Sequence, residues 1–74
     1  MDRYSVNSTN LSSIGYDEET STLEVAFNSG LVYHFYGVPF LHFDGLLRAG
    51  SAGKYFDRFI RKSSYNYRPV GGMA

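Results

Sequence analysis

Not one cysteine occurs in this chain of 74 residues. Because so short a chain buries only about 60% of the surface that its unfolded state exposes, small domains often depend on disulfides or a bound metal for stability. Neither a disulfide nor a thiolate zinc site can form here. Stability must come instead from apolar packing, chiefly of seven tyrosines and six phenylalanines, each of which can bury about 150–250 Å². We therefore predict one domain with an aromatic core and some rings left at its surface.

Three segments have the pattern of β-strands. Residues 22–27 alternate between the two faces of a half-buried strand. Residues 31–36 form a β-branched and aromatic run, and the turn before them ends in Gly30, which can take a positive φ. Residues 11–16 predict a further short strand. The sequence therefore predicts a hairpin within a three-stranded antiparallel β-meander.

Two short α-helices are predicted after the strands. Pro39 suits the first turn of a helix over residues 40–49, in which Gly45 costs about 1 kcal/mol relative to alanine. Ser51 can cap a second helix, from residue 52 to about residue 62. The apolar face of this second helix, which we expect to face the core, consists of Tyr55, Phe56, Phe59 and Ile60.

The predicted fold is α+β: the meander, the two helices and an extended C-terminal tail that returns along the domain. Residues 1–10 are polar and are predicted to be a flexible lead-in, residues 11–70 a single domain, and residues 71–74 a disordered tail. No run approaches the roughly 20 apolar residues of a membrane span, and the N-terminus lacks the basic and then apolar order of a signal peptide. We expect a cytoplasmic protein without a membrane partner.

Charge is divided unevenly along a chain whose formal net charge is zero. Residues 1–30 hold five acidic residues and one basic residue, a net −4, whereas residues 31–74 hold six basic and two acidic residues, a net +4. Zero net charge argues against strong nonspecific binding of polyanions. The polar face of the second helix nevertheless concentrates Lys54, Arg58, Arg61 and Lys62.

This basic face is the candidate nucleic-acid site. Guanidinium groups suit phosphate oxygens, and tyrosine rings can stack on unpaired bases. The candidate contacts are Lys54, Arg58, Arg61, Lys62, Tyr65, Tyr67 and Arg68. An ordinary solvated helix face is the simpler alternative. Tyr33 and Phe35 also alternate on one strand face, where core packing is favoured over an exposed stacking platform.

No motif indicates catalysis or metal binding. His34 and His42 are the only histidines, and neither has a second ligand at a spacing that favours a metal. Nucleophile-elbow, paired-carboxylate and phosphate-loop patterns are absent from the sequence. We predict no catalytic residues, no metal site and no cofactor.

Segments spread over roughly residues 8–70 resemble the KTSC domain, a short module at the C-terminus of some lysyl-tRNA synthetases and in stand-alone bacterial and phage proteins. The matching segments are Ile14-Gly15-Tyr16-Asp17, Thr22-Leu23-Glu24-Val25, Ser29-Gly30, Val32-Tyr33-His34-Phe35-Tyr36-Gly37-Val38-Pro39, Leu46-Leu47, Ala49, Ser51-Ala52-Gly53-Lys54-Tyr55-Phe56, Ile60-Arg61 and Tyr67-Arg68. The chain departs from the family pattern in two places. Tyr33-His34-Phe35 stands where the family has Tyr-x-Tyr, and Asp57 stands where an Asn is typical.

The resemblance implies little about activity. The family's function is unassigned, and RNA binding has been suggested for it mainly because of its attachment to synthetases, which is an association and not a mechanism. Our first hypothesis is a noncatalytic binding module with RNA as its partner. The alternatives are a module that self-associates or docks on a larger protein, and an oligomer that binds a small nucleotide between subunits.

Overall fold

Five antiparallel strands, adjacent in chain order, form one sheet in the computed structural model, which describes residues 1–72. The strands are β1 (Arg3–Ser5), β2 (Leu11–Asp17), β3 (Thr22–Phe27), β4 (Leu31–Phe35) and β5 (Tyr67–Gly72). Two helices, α1 (Phe40–Arg48) and α2 (Ala52–Phe56), follow β4, and α2 continues as a π-helical segment, Asp57–Arg61. The helices cover one face of the sheet.

The predicted α+β class with two helices is confirmed, but the predicted number of strands is wrong. β1 forms within the lead-in and β5 within the returning tail, so the sheet has five strands and not three. Both segments lack a strong strand pattern, and each pairs with an edge that a three-stranded sheet would leave open. Of the predicted tail over residues 71–74, Gly71 and Gly72 lie in β5, and Met73 and Ala74 lie outside the described residues.

The central hairpin follows the pattern of its sequence. Leu23 and Val25 of β3 are fully buried against the helices, while Glu24 lies on the opposite face. Gly30 has a φ of 98°, a conformation that favours glycine, and its N–H donates to the Phe27 carbonyl at 2.9 Å. Local patterning was therefore sufficient to predict this hairpin.

The core lies between this sheet and the helices. Its fully buried side chains include Leu11, Ile14, Leu23, Val25, Val38, Leu46 and Ile60. Aromatic rings extend it: Tyr16 stacks on Phe43 with 5.4 Å between ring centroids, and its hydroxyl donates to the Val38 carbonyl. These contacts join α1 and the loop before it to β2.

The second helix begins where predicted but changes its hydrogen-bonding pattern halfway. Ser51 caps α2 by accepting a hydrogen bond from the Lys54 N–H at 3.4 Å. In an α-helix, residue i+4 lies one turn above residue i. In a π-helical segment, residue i+5 approaches that position instead. Ile60 is buried, whereas Phe59, predicted to face the core, is 39% exposed.

A row of cross-strand neighbours spans the sheet face opposite the helices. It runs through Arg3, Gly15, Glu24, His34 and Arg68, one from each strand. Arg3 reaches across β2, and its Nε donates to Glu24 Oε2 at 2.7 Å. His34 Nε2 lies 2.8 Å from Glu24 Oε1. Burial alone would raise the pKa of Glu24, but the hydrogen bonds with His34 and Arg3 hold it below its ordinary value of 4.5.

Candidate functional site

A groove of about 530 Å³ lies between the second helix and the helix-facing side of β3, β4 and β5. Its volume falls within the roughly 300–1,000 Å³ of typical small-molecule pockets. Six of its lining side chains are aromatic: Phe27, Tyr33, Phe35, Phe56, Tyr65 and Tyr67. We call it the aromatic groove.

Strand pairing assembles one wall of the aromatic groove. Phe35 and Tyr67 are opposite each other in β4 and β5, so their side chains share a face, and their rings stack with centroids 5.5 Å apart. The ring centroid of Tyr33, two residues before Phe35, lies 6.0 Å from that of Tyr67 and 5.8 Å from that of Phe27. Phe35 is in the core at 7% exposure, whereas Tyr67 is 63% exposed. The wall is therefore buried on one side and open to solvent on the other.

The π-helical segment supplies the charged rim of the opposite wall. Arg61 is five residues after Phe56, so the π-helical pattern brings both residues to the groove side of the helix. Arg61 Nη1 donates to Asp57 Oδ1 at 3.0 Å, and the two side chains are 74% and 44% exposed. A cation and an anion therefore line the same groove, both within reach of a ligand.

The structure separates the predicted nucleic-acid contacts into three groups. Arg61, Tyr65 and Tyr67 line the aromatic groove. A second group, Lys54, Arg58 and Lys62, is exposed on the same helix but does not line the groove. Arg68 pairs with His34 and therefore lies on the opposite face of the sheet.

The prediction that Lys54, Arg58, Arg61 and Lys62 form a single stripe rests on an α-helical period. The π-helical segment changes the angular position of the later residues, so Arg61 lies at the groove and the guanidinium of Arg58 lies 5.5 Å from the centre of the Phe59 ring. The basic side chains thus extend from the groove around the exposed side of the helix.

Sequence reasoning missed the groove-lining role of Phe27, Phe56 and Asp57. Phe27 and Phe56 belong to apolar patterns that also describe a core, so nothing in their spacing separates the two roles. In the sequence, Asp57 stands out as a departure from the family pattern and not as part of a groove. The alternation of Tyr65 with Tyr67 is too short a pattern to predict a strand, so the sequence carries no strong signal for the wall that β5 contributes.

Among residues 1–72, no group of three or more His, Asp or Glu side chains is placed to hold a metal ion. Over the same residues, neither helix has the length and apolar character to cross a bilayer.

Similarity to known proteins extends over most of the chain. The family model of the KTSC domain matches residues 7–67. An uncharacterised protein of Stutzerimonas stutzeri is 39% identical over 67 residues, which are 90% of this chain and 94% of that protein. A lysine–tRNA ligase of Trichormus variabilis is 40% identical over 55 residues, and one of a Nostoc species is 38% identical over 55 residues. Each alignment spans 74% of this chain but only 10% of the ligase.

A crystal structure shows the same architecture. The KTSC domain protein of Yersinia pestis superposes with a TM-score of 0.86 and is 34% identical in sequence. The superposition covers 95% of this chain and 97% of that protein. The similarity therefore extends over nearly the whole of both chains.

Proposed function

This chain belongs to the KTSC domain family, and from that premise we propose that it is a noncatalytic module that binds single-stranded RNA in the aromatic groove. The observation that carries the proposal is the meeting of Arg61, Tyr65 and Tyr67 at one groove. These residues supply the two contacts that single-stranded RNA needs, a cation for phosphate and rings for bases.

Stacking and charge support the proposal together. Tyr67 offers an exposed ring whose position is set by Phe35 behind it, and stacking on such a ring contributes about 1–3 kcal/mol per base. Arg61 lies at the rim, and Lys54, Arg58 and Lys62 continue the positive charge along the helix. A strand whose base enters the aromatic groove can therefore lay its phosphates along these side chains.

The relatives add support of a different kind. Two of them are named lysine–tRNA ligases, enzymes whose name includes an RNA substrate, and each contains a segment similar to this chain. That segment is about a tenth of the ligase. An RNA partner for this chain is therefore a proposal that the relatives suggest and that binding must test.

A protein-interaction module is the second candidate. Phe40, Leu41 and Leu47 of α1 are 50%, 70% and 39% exposed, and apolar side chains on one exposed helix face are typical of contact surfaces. This surface is separate from the aromatic groove, so variants can distinguish the two functions.

The test is fluorescence anisotropy of labelled single-stranded RNA and of tRNA, titrated with the protein from about 50 mM to about 200 mM salt. Tyr67→Ala is expected to weaken binding by about 5- to 150-fold, the range for one lost base stack. Arg61→Ala is expected to weaken it and to reduce the slope of log affinity against log salt by about 0.7.

Two matched variants control for folding and charge. Tyr4→Ala removes a 49% exposed tyrosine from β1, the opposite edge of the sheet. Arg68→Ala removes the same charge as Arg61→Ala, but from the other sheet face. Both should bind RNA nearly as the wild type does. Failure of the wild type to bind at low salt would refute the proposal, and equal losses in control and groove variants would exclude the aromatic groove as the site.

A further inference from the structure

We propose that the aromatic groove selects guanine among unpaired bases and that Asp57 is the residue that recognises its edge. This preference rests on the proposed RNA binding and adds the identity of the base to it. Among the described residues that line the groove, Asp57 is the only carboxylate. It therefore brings a chemistry that neither the aromatic wall nor Arg61 supplies.

The position of Asp57 suits recognition. Arg61 holds the carboxylate through a hydrogen bond of 3.0 Å to Oδ1, while 44% of the Asp57 side chain is exposed. Each carboxylate oxygen can accept more than one hydrogen bond, so Oδ1 and Oδ2 both remain acceptors for a ligand. The rim thus offers a carboxylate whose orientation is restrained and whose oxygens are accessible.

Hydrogen-bond chemistry then distinguishes the four bases. An ionised carboxylate only accepts hydrogen bonds, so it favours the base edge with the most adjacent donors. Guanine presents N1–H and the 2-amino group side by side, which can donate to both oxygens together. Adenine and cytosine place a ring-nitrogen acceptor beside their amino group, and uracil flanks its N3–H with two carbonyl oxygens. Guanine alone can make two hydrogen bonds without a facing acceptor.

The negative charge of Asp57 predicts that its removal changes the affinity for different RNA sequences in different directions. A carboxylate repels the phosphates of any RNA, so its removal should strengthen binding of a sequence that makes no use of it. Asp57→Asn is therefore expected to bind an all-uridine oligomer as well as or slightly better than the wild type, and at the same time to lose the preference for guanine. If Asp57 had only a structural role, its replacement would weaken binding of the all-uridine oligomer and of the guanosine oligomer together.

The experiment measures anisotropy of five short labelled oligomers: an all-uridine oligomer and the same oligomer with one central guanosine, inosine, adenosine or cytidine. For the wild type we expect the guanosine oligomer to bind at least about fivefold more tightly than the adenosine, cytidine or uridine oligomers, the lower end of discrimination by a paired base contact. Inosine lacks the 2-amino group and should fall between them. Asp57→Asn should bind all five oligomers within about twofold of one another.

Asp44→Asn is the matched control. Asp44 pairs with Arg48 in the same i, i+4 arrangement on α1, with the two oxygens 3.0 and 3.1 Å from Arg48 Nε, and the Asp44 side chain is 38% exposed. Asp44→Asn changes the net charge by the same amount as Asp57→Asn, but outside the groove. This variant should therefore keep the guanosine preference of the wild type.

The outcomes separate this proposal from the one on which it rests. If the wild type binds every oligomer with equal affinity, RNA binding stands and recognition by Asp57 is wrong. If it binds no RNA, both proposals fail, and a dimer seen by sedimentation of the protein alone would favour the protein-interaction module instead. If Asp57→Asn retains the guanosine preference, the selecting group lies elsewhere.

Discussion

At the scale of single residues, the role of a residue depends on the side chains that pack against it. Gly45 was predicted only to weaken α1, but an added Cβ would collide with the ring and hydroxyl of Tyr55. The missing side chain admits that ring, whose hydroxyl lies 3.0 Å from His42 Nδ1. Glu24 is a second example, because its two partners come from opposite sides of β3: His34 from the adjacent strand β4, and Arg3 from β1, beyond β2.

Glu24 makes the stability of the protein depend on pH. Its folded-state pKa lies below the ordinary value of 4.5, so its contribution to stability is present above that value and is lost as the pH falls through the folded-state pKa. We expect Glu24→Gln to lower the free energy of unfolding near neutral pH by about 1.5–3 kcal/mol, the range for hydrogen bonds to a charged group.

Urea denaturation of both proteins across the acid range measures this effect, and carboxyl groups common to the two proteins cancel in the comparison. The difference between wild type and Glu24→Gln should narrow below the ordinary pKa of 4.5. A difference that stays constant throughout this range would show that the ionisation of Glu24 does not stabilise the fold.

At the scale of elements, the change from α-helical to π-helical hydrogen bonding organises the candidate site. Phe56 and Ile60 lie in the core and Phe59 is partly exposed, while Arg61, five residues after Phe56, lies at the aromatic groove. π-Helical turns within α-helices are frequent at functional sites. The basic face that an α-helical period predicts as one stripe is divided in this way between the groove and the exposed side of the helix.

Two adjacent substitutions in the second helix should reduce the free energy of unfolding by different amounts. Ile60 is 1% exposed, so Ile60→Ala should reduce the free energy of unfolding by about 2–5 kcal/mol. Phe59 is 39% exposed, and Phe59→Ala should cost about 1 kcal/mol although it removes the larger side chain. Urea denaturation at one pH measures both values. A larger loss for Phe59→Ala than for Ile60→Ala would contradict this assignment of exposed and buried positions.

At the scale of the whole molecule, β5 completes the sheet and the groove together. It pairs with β4 along five residue positions and brings Tyr67 onto Phe35. Without it, β4 would be an open edge and the aromatic groove would lose one wall. The C-terminal segment is therefore both a structural and a functional part of the domain.

A chain that ends at Asn66 tests the structural part. We expect it to lose cooperative thermal unfolding or to unfold at a much lower temperature, because a small domain has a stability margin of only about 5–15 kcal/mol and the β4–β5 hydrogen bonds each contribute about 0.5–1.5 kcal/mol. Circular dichroism during heating measures the transition. Tyr67→Ala, which keeps the backbone pairing, should remain folded, and an unchanged transition in the shortened chain would contradict this role of β5.

Local patterns sufficed for the class of the fold, the β3–β4 hairpin, the start of both helices and the Ser51 cap, because each depends on residues a few positions apart. β1 and β5 required the tertiary structure, since their backbone groups pair with edges that exist only once the central strands have formed. The same is true of the aromatic groove. Tyr33, Asp57, Arg61 and Tyr67 are far apart in the chain or displaced by the π-helical segment, and only long-range pairing of β4 with β5 beneath that segment brings them to one site.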